Sequence, residues 1–192
     1  EVDLNPVFAT KEGAIAADVR IVVDVSPPPA RYRPKQEDIV RDMNRIMKPE
    51  AVAVIGASSE AGKIGNSVMK NLINGGYKGK IYPINPSADK IMDIKAYKSV
   101  KDVPGDIDVA VFAIPAKFVA AALIECGEKK IPGAVLIPSG FAETGNVEGQ
   151  TEIQAIGRKY GVRLMGPNIY GFYYTWKNLC ATFCTAYDVK GH

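Results

Sequence analysis

The stretch Ala51-Val-Ala-Val-Ile-Gly-Ala-Ser-Ser-Glu-Ala-Gly-Lys-Ile-Gly65 constrains this chain more than any other. Ala51 to Ile55 is a short apolar run rich in β-branched residues, which reads as a strand buried on both faces. Small residues follow, then a helical pattern from Lys63 to Leu72. Strand, glycine-rich turn and helix in succession make the first unit of a doubly wound sheet. Such a turn sets backbone N–H groups and a helix N-terminus beside the strand end, where an anionic phosphate can bind. Gly56 is expected to let the chain turn sharply, and Gly65 to let the helix sit close to the sheet. A side chain at Gly56 is expected to block a ligand while leaving the fold largely intact.

The turn follows neither well-known phosphate loop. A dinucleotide fingerprint wants G-x-G-x-x-G, and Ser58 stands at the second glycine. A Walker loop wants four residues between its glycines and Ser or Thr after the lysine. Here Gly56 to Gly62 encloses one residue too many, and Ile64 follows Lys63. NAD and P-loop ATP are therefore poorly supported, and a tight turn with no ligand stays open as the plain alternative.

The rest of the pattern repeats the strand–helix alternation. Gln36 to Met47 carries Ile39, Met43 and Ile46 at helical spacing. Strands are expected at Ile81–Ile84, Val109–Ile114, Gly133–Ile137 and Val162–Met165, with a short extended piece at Ile94–Tyr97. Helices are expected at Lys117–Glu128 and Gln150–Tyr160. This alternation implies a parallel sheet with right-handed crossovers. Each strand stops in small or polar residues: Gly56-Ala-Ser58, Asn85-Pro-Ser87, Ile114-Pro-Ala116, Pro138-Ser-Gly140 and Gly166-Pro-Asn168. In open α/β sheets those ends form one crevice, where ligands bind. Turn residues alone would account for each loop singly; five converging on one edge favour a ligand.

The first segment is different. Val2–Ala9 and Ala14–Val23 are two β-like runs joined by Lys11-Glu-Gly13, which reads as a hairpin. Ser26-Pro-Pro-Pro-Ala-Arg-Tyr-Arg-Pro34 then reads as an extended linker. A hairpin alone is marginal in water, so it either packs on the following domain or is the remnant of a preceding one. The expected division is 1–25 for the hairpin, 26–36 for the linker and 37–192 for the α/β domain.

A chain of 192 residues with 47% hydrophobic content suits one domain with an appendage. Its net charge of +3 is too mild to argue for nucleic acid. No apolar run is long enough to span a bilayer, and the N-terminus lacks a signal-peptide pattern. Cys126, Cys180 and Cys184 are odd in number and form no C-x-x-C pair, so a reduced, cytoplasmic protein is the simplest reading. Cys180, Cys184 and His192 are scattered near the chain end and are assigned no metal.

At this point the residues resemble a family. Lys48-Pro-Glu-Ala-Val-Ala-Val-Ile-Gly-Ala-Ser58, Tyr82-Pro-Ile-Asn-Pro86, Ser139-Gly-Phe-Ala-Glu-Thr-Gly145 and Gly166-Pro-Asn168 look like the CoA-binding domain of the NDP-forming acyl-CoA synthetases. That family includes the ADP-forming acetyl-CoA synthetases, succinyl-CoA synthetase and ATP-citrate lyase. The likeness covers Ile39 to Lys190, with four motifs in the right order. Asn178-Leu-Cys-Ala-Thr-Phe183 also resembles the family's N-x-x-A-T-F segment. Glu1-Val-Asp-Leu-Asn-Pro6 and Ala16-Ala-Asp-Val-Arg20 resemble the end of the family's ATP-grasp domain, where the matching Asn and Asp hold nucleotide-bound Mg²⁺. By that match Asn5 and Asp18 are metal ligands, and oxygen ligands suit Mg²⁺.

The resemblance implies CoA as cofactor, with Mg²⁺ and ATP or ADP only in the full-length enzyme, and a chain that is a piece of a longer protein. It implies acyl-CoA synthesis from acid, CoA and ATP through an acyl phosphate and a phosphohistidine that lies outside this chain. His192 takes no catalytic role. Gly56, Ala57, Ser58 and Ser59 would meet the CoA phosphates through backbone N–H groups. Asn85, Pro86 and Ser87 would lie near adenine and ribose. Ile114, Pro115, Ser139, Gly140, Phe141 and Glu143 would line the pantetheine path, and Lys63 and Asn168 complete the expected set. Many members carry lysine after the Asn-Pro where Ser87 stands here, and Lys90 is the candidate to replace it. Ile169 and Tyr170 are bulkier than common family choices. The implied partners are the remaining ATP-grasp and succinyl-CoA-synthetase-like domains, with no nucleic acid and no membrane; a homodimer is compatible. A stand-alone regulatory CoA-binding module and an NAD-dependent oxidoreductase are the alternatives. The Asn5–Asp18 hairpin argues against the first. The missing glycine, and the lack of an acidic residue ending Ile81–Ile84, argue against the second.

Overall fold

The computed structural model describes residues 2–23 and 35–184. The chain divides into two compact units, Glu1–Pro34 and Lys35–His192. The proline-rich stretch expected as a linker lies almost wholly outside the described residues, as does His192.

The first unit is an antiparallel ribbon of four short strands: β1 (Val2–Leu4), β2 (Val7–Thr10), β3 (Gly13–Ala16) and β4 (Val19–Ile21). β2 pairs with β3 across the expected turn, and β1 pairs with β4 further down the same ribbon. The pairs Val2↔Ile21 and Leu4↔Val19 alternate with Asp3↔Arg20. Cross-strand partners share a face, so one face of this part of the ribbon is apolar and the other charged. Between the two strand pairs, the Asn5 N–H donates to the Asp18 carbonyl at 3.2 Å.

The second unit begins with α1 (Gln36–Met47), β5 (Ala51–Ile55), α2 (Ile64–Asn74) and β6 (Lys80–Ile84). A two-stranded ribbon follows, β7 (Lys90–Ile91) and β8 (Ile94–Lys95). Then come β9 (Val109–Phe112), α3 (Val119–Glu128), β10 (Gly133–Leu136), α4 (Val147–Tyr160) and β11 (Arg163–Met165). The last elements are β12 (Gly171–Tyr174) and β13 (Leu179–Thr182), an antiparallel hairpin. Five strands form one sheet in the order β11-β10-β9-β5-β6. All four pairings in it are parallel. This is the Rossmann-like doubly wound sheet with a hairpin appendage that the pattern predicts.

Alternation along the strands divides the core between the two faces of the sheet. Ala53, Ile55, Ala110, Phe112, Ala134 and Leu136 pack with Leu123 and Cys126 of α3 and Ile153 of α4. Val52, Val54, Val109, Val111 and Val135 pack with Ile46 of α1, Val68 and Leu72 of α2, and Leu179 and Ala181 of β13. The opposite end of the sheet is tied by Asp108. One carboxylate oxygen accepts from the Glu50 and Ala51 N–H groups, and the other pairs with Arg45 at 2.8 Å.

Boundaries shift where local chemistry decides them. α4 begins three residues before the periodicity does, because the Asn146 side chain accepts from the Gly149 N–H at 3.0 Å as an N-cap. The Lys117–Glu128 helix opens with a tighter turn over Ala116–Phe118. Ile39, placed on the buried face of α1 by spacing, is 37% exposed.

The β12–β13 hairpin has no counterpart in the periodicity reading, and it is a core element. Leu179 and Ala181 are fully buried. Asn71 of α2 donates to the Thr182 carbonyl at 2.8 Å and to the Cys184 carbonyl at 2.6 Å. Leu179→Ala should therefore destabilise the domain by about 2–5 kcal/mol. Urea unfolding checks this; a midpoint equal to the parent's would make the hairpin a surface appendage instead.

Candidate functional site

A parallel sheet brings every strand's carboxyl end to one edge, and hydrogen bonds join the loops there side by side. Asn85, after β6, donates from Nδ2 to the Ala57 carbonyl after β5 at 2.8 Å. Gly56 lies against Ala113 and Ile114 after β9. Gly140, after β10, lies against Ala116. The Asn168 N–H, after β11, donates to the Pro138 carbonyl at 3.0 Å. The chain crosses to opposite faces on either side of β5 and β9, so the switch point of the sheet falls between them, where such folds bind ligands.

Gly56 occupies that point with φ +86°, a conformation that favours glycine. A Cβ there would lie 2.5 Å from the Ala113 carbonyl oxygen and 2.7 Å from Ile114 Cγ2. The space a side chain would need is thus taken by the Ala113 backbone and the Ile114 side chain. This corrects the expectation that a Gly56 variant would mostly spare the fold: position 56 tests folding before it tests a ligand. Gly65 is buried in the first turn of α2, and a Cβ on it would overlap the Gly56 carbonyl. The close approach expected of Gly65 is therefore real, and its partner is the turn itself.

Between these glycines, two carboxamides hold the loop. Asn66 is 3% exposed and donates from Nδ2 to the Ser58 carbonyl at 3.2 Å. Asn85 holds the neighbouring Ala57 carbonyl, and its Oδ1 accepts from the Ser87 N–H at 2.8 Å. Ser58 Oγ accepts from the Glu60 N–H at 3.0 Å, and Ser59 Oγ from the Met92 N–H at 3.4 Å. The second contact seats the turn of the β7–β8 ribbon against the loop. Among the described residues, no acceptor meets the N–H groups of Ser58 and Ser59.

The other expected residues fall into distinct settings. Lys63 is exposed, with a 3.7 Å surface ion pair to Glu60. Pro86, Ser87, Pro115, Ser139 and Asn168 are exposed along the crevice edge, and Ile114 is half-buried. Lys90 is exposed and paired in register with Lys95. Phe141 is 3% exposed and packs in the core, so it supports the crevice floor from below. Tyr170 is exposed and stacks on Phe183 with ring centroids 5.2 Å apart; Ile169 packs against the core. Asn66 was absent from the sequence reading. The available signal was a carboxamide on the apolar face of α2, among Gly65, Val68, Met69 and Leu72.

A cleft of about 510 Å³ lies at the opposite edge, lined by Arg45, Glu50, Ala51, Lys80, Asp106 and Asp108. Arg45 and Asp108 are already engaged with each other there, and Glu50 pairs with Lys177 at 2.6 Å. The carboxyl edge instead carries the Ser58 and Ser59 N–H donors, which meet no acceptor among the described residues. On the ribbon, Asn5 and Asp18 lie beside one another with exposed side chains, one neutral and one anionic oxygen donor. That donor pair suits Mg²⁺, which keeps several waters and substrate phosphates as its other ligands. Among the described residues, no group of three His, Cys, Asp or Glu is placed to hold a metal.

Glu143 folds back on its own loop. Its carboxylate accepts from the Gly140 N–H at 2.6 Å and from the Phe141 N–H at 3.2 Å. The Gly140 hydrogen bond, chiefly, holds its carboxyl below the ordinary value. With the folded value depressed, the contact is fully present above the unfolded pKa and is lost as pH falls through the folded one. Acid titration followed by amide NMR should therefore move the Gly140 and Phe141 N–H signals together, with a midpoint below the usual glutamate range. A midpoint at or above that range would mean the carboxylate is not held.

Residues 50–175 match the CoA binding domain family. The chain is 42% identical, over 99% of its length, to acetate–CoA ligase [ADP-forming] II of Archaeoglobus fulgidus, and covers 28% of that protein. It is 47% identical to the acetate–CoA ligase [ADP-forming] I subunit alpha of Pyrococcus furiosus, over 73% of this chain and 32% of the subunit. Among solved structures, it is similar to the dinucleotide-forming acetyl-coenzyme A synthetase 1 of Ca. Korarchaeum cryptofilum in complex with phosphate and ADP. That likeness has a TM-score of 0.72 and 45% identity, over 73% of this chain and 30% of that one. The chain thus spans about a third or less of the relatives it matches. The glycine turn at the switch point, the loops gathered along one edge and the match over 50–175 place this chain in the CoA-binding domain family.

Proposed function

We propose that this chain is the CoA-binding portion of an ADP-forming acyl-CoA ligase. The observation that carries the reading is the likeness to the A. fulgidus ligase, which runs through the ribbon as well as the α/β unit. A stand-alone CoA-binding module has no use for that ribbon. The reading against NAD is supported by Asn85: it is not acidic, and its carboxamide is spent on the Ala57 carbonyl and the Ser87 N–H.

On this reading, the loop from Gly56 to Ser59 holds the CoA diphosphate through backbone N–H groups, with Lys63 at its rim. Pro86, Ser87 and Lys90 border the adenosine. Ile114, Pro115, Ser139, Gly140 and Glu143 line the route of the pantetheine arm, and Asn168 closes it. Asn5 and Asp18 hold Mg²⁺ beside ATP or ADP once the rest of an ATP-grasp domain is present. The whole enzyme joins acid and CoA at the expense of ATP, through an acyl phosphate and a phosphohistidine beyond this chain. Its partners are the other domains of that enzyme. Three cysteines without disulfides fit a cytoplasmic setting.

Calorimetric titration with CoA, NADH and ATP tests the binding assignment. CoA should bind at least about tenfold more tightly than NADH, a difference of about 1.4 kcal/mol; tighter NADH binding would sink the idea. The chain alone should not release ADP from acid, ATP and CoA. Turnover by pure protein that requires all three substrates would refute the division of labour proposed here.

A further inference from the structure

We infer that Asn66 and Asn85 are positioning residues that together aim the anion-binding donors of the loop; this rests on the CoA reading above. The two carboxamides hold the carbonyls of consecutive residues, Ala57 and Ser58. A trans peptide is planar, so its N–H points opposite to its C=O. Fixing the Ala57 carbonyl therefore directs the Ser58 N–H, and fixing the Ser58 carbonyl directs the Ser59 N–H. Those are the two N–H groups for which no described residue supplies an acceptor. The carbonyls are drawn toward the protein, and the donors are left facing away from the groups that hold the carbonyls.

The two clamps come from different sides. Asn66 projects from the buried face of α2, and Asn85 from the end of β6. Asn66 is the buried polar residue of the described core, and burial of a carboxamide is costly unless its hydrogen bonds are made. Leucine or methionine at this position would fill the same face of α2. The carboxamide has one described hydrogen-bonding partner, the Ser58 carbonyl, and that partner belongs to the loop. Donors fixed before the ligand arrives need no reorganisation when it binds, which is how backbone amides hold phosphate oxygens tightly. Asn85, which the family resemblance sets near adenine and ribose, acts on this inference through the loop carbonyl it holds.

The test uses the 192-residue chain with Asn66→Leu and Asn85→Ala. CoA and pantetheine, which lacks the diphosphate together with the 3′-phosphorylated adenosine, are titrated while backbone amides are followed by NMR, and thermal unfolding establishes that each variant is folded. In the parent, CoA should move the Ser58 and Ser59 amide protons downfield, and pantetheine should not. Each folded variant should bind CoA at least about tenfold more weakly, lose that downfield shift, and bind pantetheine within about twofold of the parent. Asn85 is only half-buried, so Asn85→Ala decides the question if Asn66→Leu fails to fold. A folded variant that binds CoA like the parent, or that loses CoA and pantetheine equally, overturns the clamp. A parent that binds no CoA overturns the reading of the site itself, and the clamp with it.

Discussion

The contact on which this domain turns is between two backbones. Gly65 in the first turn of α2 lies so close to the Gly56 carbonyl that no side chain fits between them, and Gly56 in turn backs onto the Ala113 peptide. Three elements thus meet at one point: the end of β5, the start of α2 and the end of β9, with the Ile114 side chain also packed against Gly56. Such closeness fixes the helix against the sheet and sets what the loop between them can do. Ala57 is fully buried at the start of the loop, and the chain is exposed from Ser59 to Lys63. The Ala57 and Ser58 carbonyls have no strand partner, and a buried carbonyl left unpaired costs free energy comparable to a lost hydrogen bond. Asn66 and Asn85 are the response to that debt.

Much of this was legible in the sequence, for physical reasons that differ by element. The central strands are apolar on both faces, and a run such as Ala51–Ile55 has few other destinations. The loops were legible because parallel strands end together, so five small-residue turns share one edge. The tail from Gly171 to Thr182 was not. Its aromatic and small residues carry neither a clean two-residue nor a helical period, and Leu179 and Ala181 are buried by packing on α2, a contact between distant stretches of chain. Asn66 was missed for a related reason: its partner, the Ser58 carbonyl, is main chain and leaves no mark in composition. Phe141 lies inside the Ser139–Gly145 motif, whose family resemblance implies a place along the pantetheine path. The structure gives it a core place, holding the loop whose exposed members remain candidates.

The crevice is also notable for how its charges are spent. Lys63 faces Glu60, and Glu143 faces its own loop's N–H groups. Lys90 and Lys95 stand opposite each other on the β7–β8 ribbon, an arrangement in which like charges disfavour the pairing unless an anion lies between or solvent screens them. On the reading proposed above, binding at the centre of the edge would fall to backbone dipoles, with exposed lysines at the rim. Backbone donors suit a diphosphate whose position must be fixed, because their geometry is set by the fold. Rim lysines suit a group whose position is free to vary, since exposed pairs contribute only about 0–1 kcal/mol each.

The ribbon follows the opposite logic. A two-stranded ribbon is marginal by itself, and this one exposes Val2, Leu4, Val19 and Ile21 on a single face. An apolar face of that kind gains stability only when something covers it. The α/β unit has no such deficit, for its sheet is covered on both faces by its own helices and hairpin. The α/β unit thus carries its own core, while the described ribbon consists of paired strands with exposed side chains. The sequence of both units is matched within a single ligase chain of A. fulgidus. On the ATP-grasp reading proposed above, a ribbon that supplied Asn5 and Asp18 to a nucleotide's metal would find cover for its apolar face in the domain that holds that nucleotide, so that its stability and its chemistry would depend on one contact.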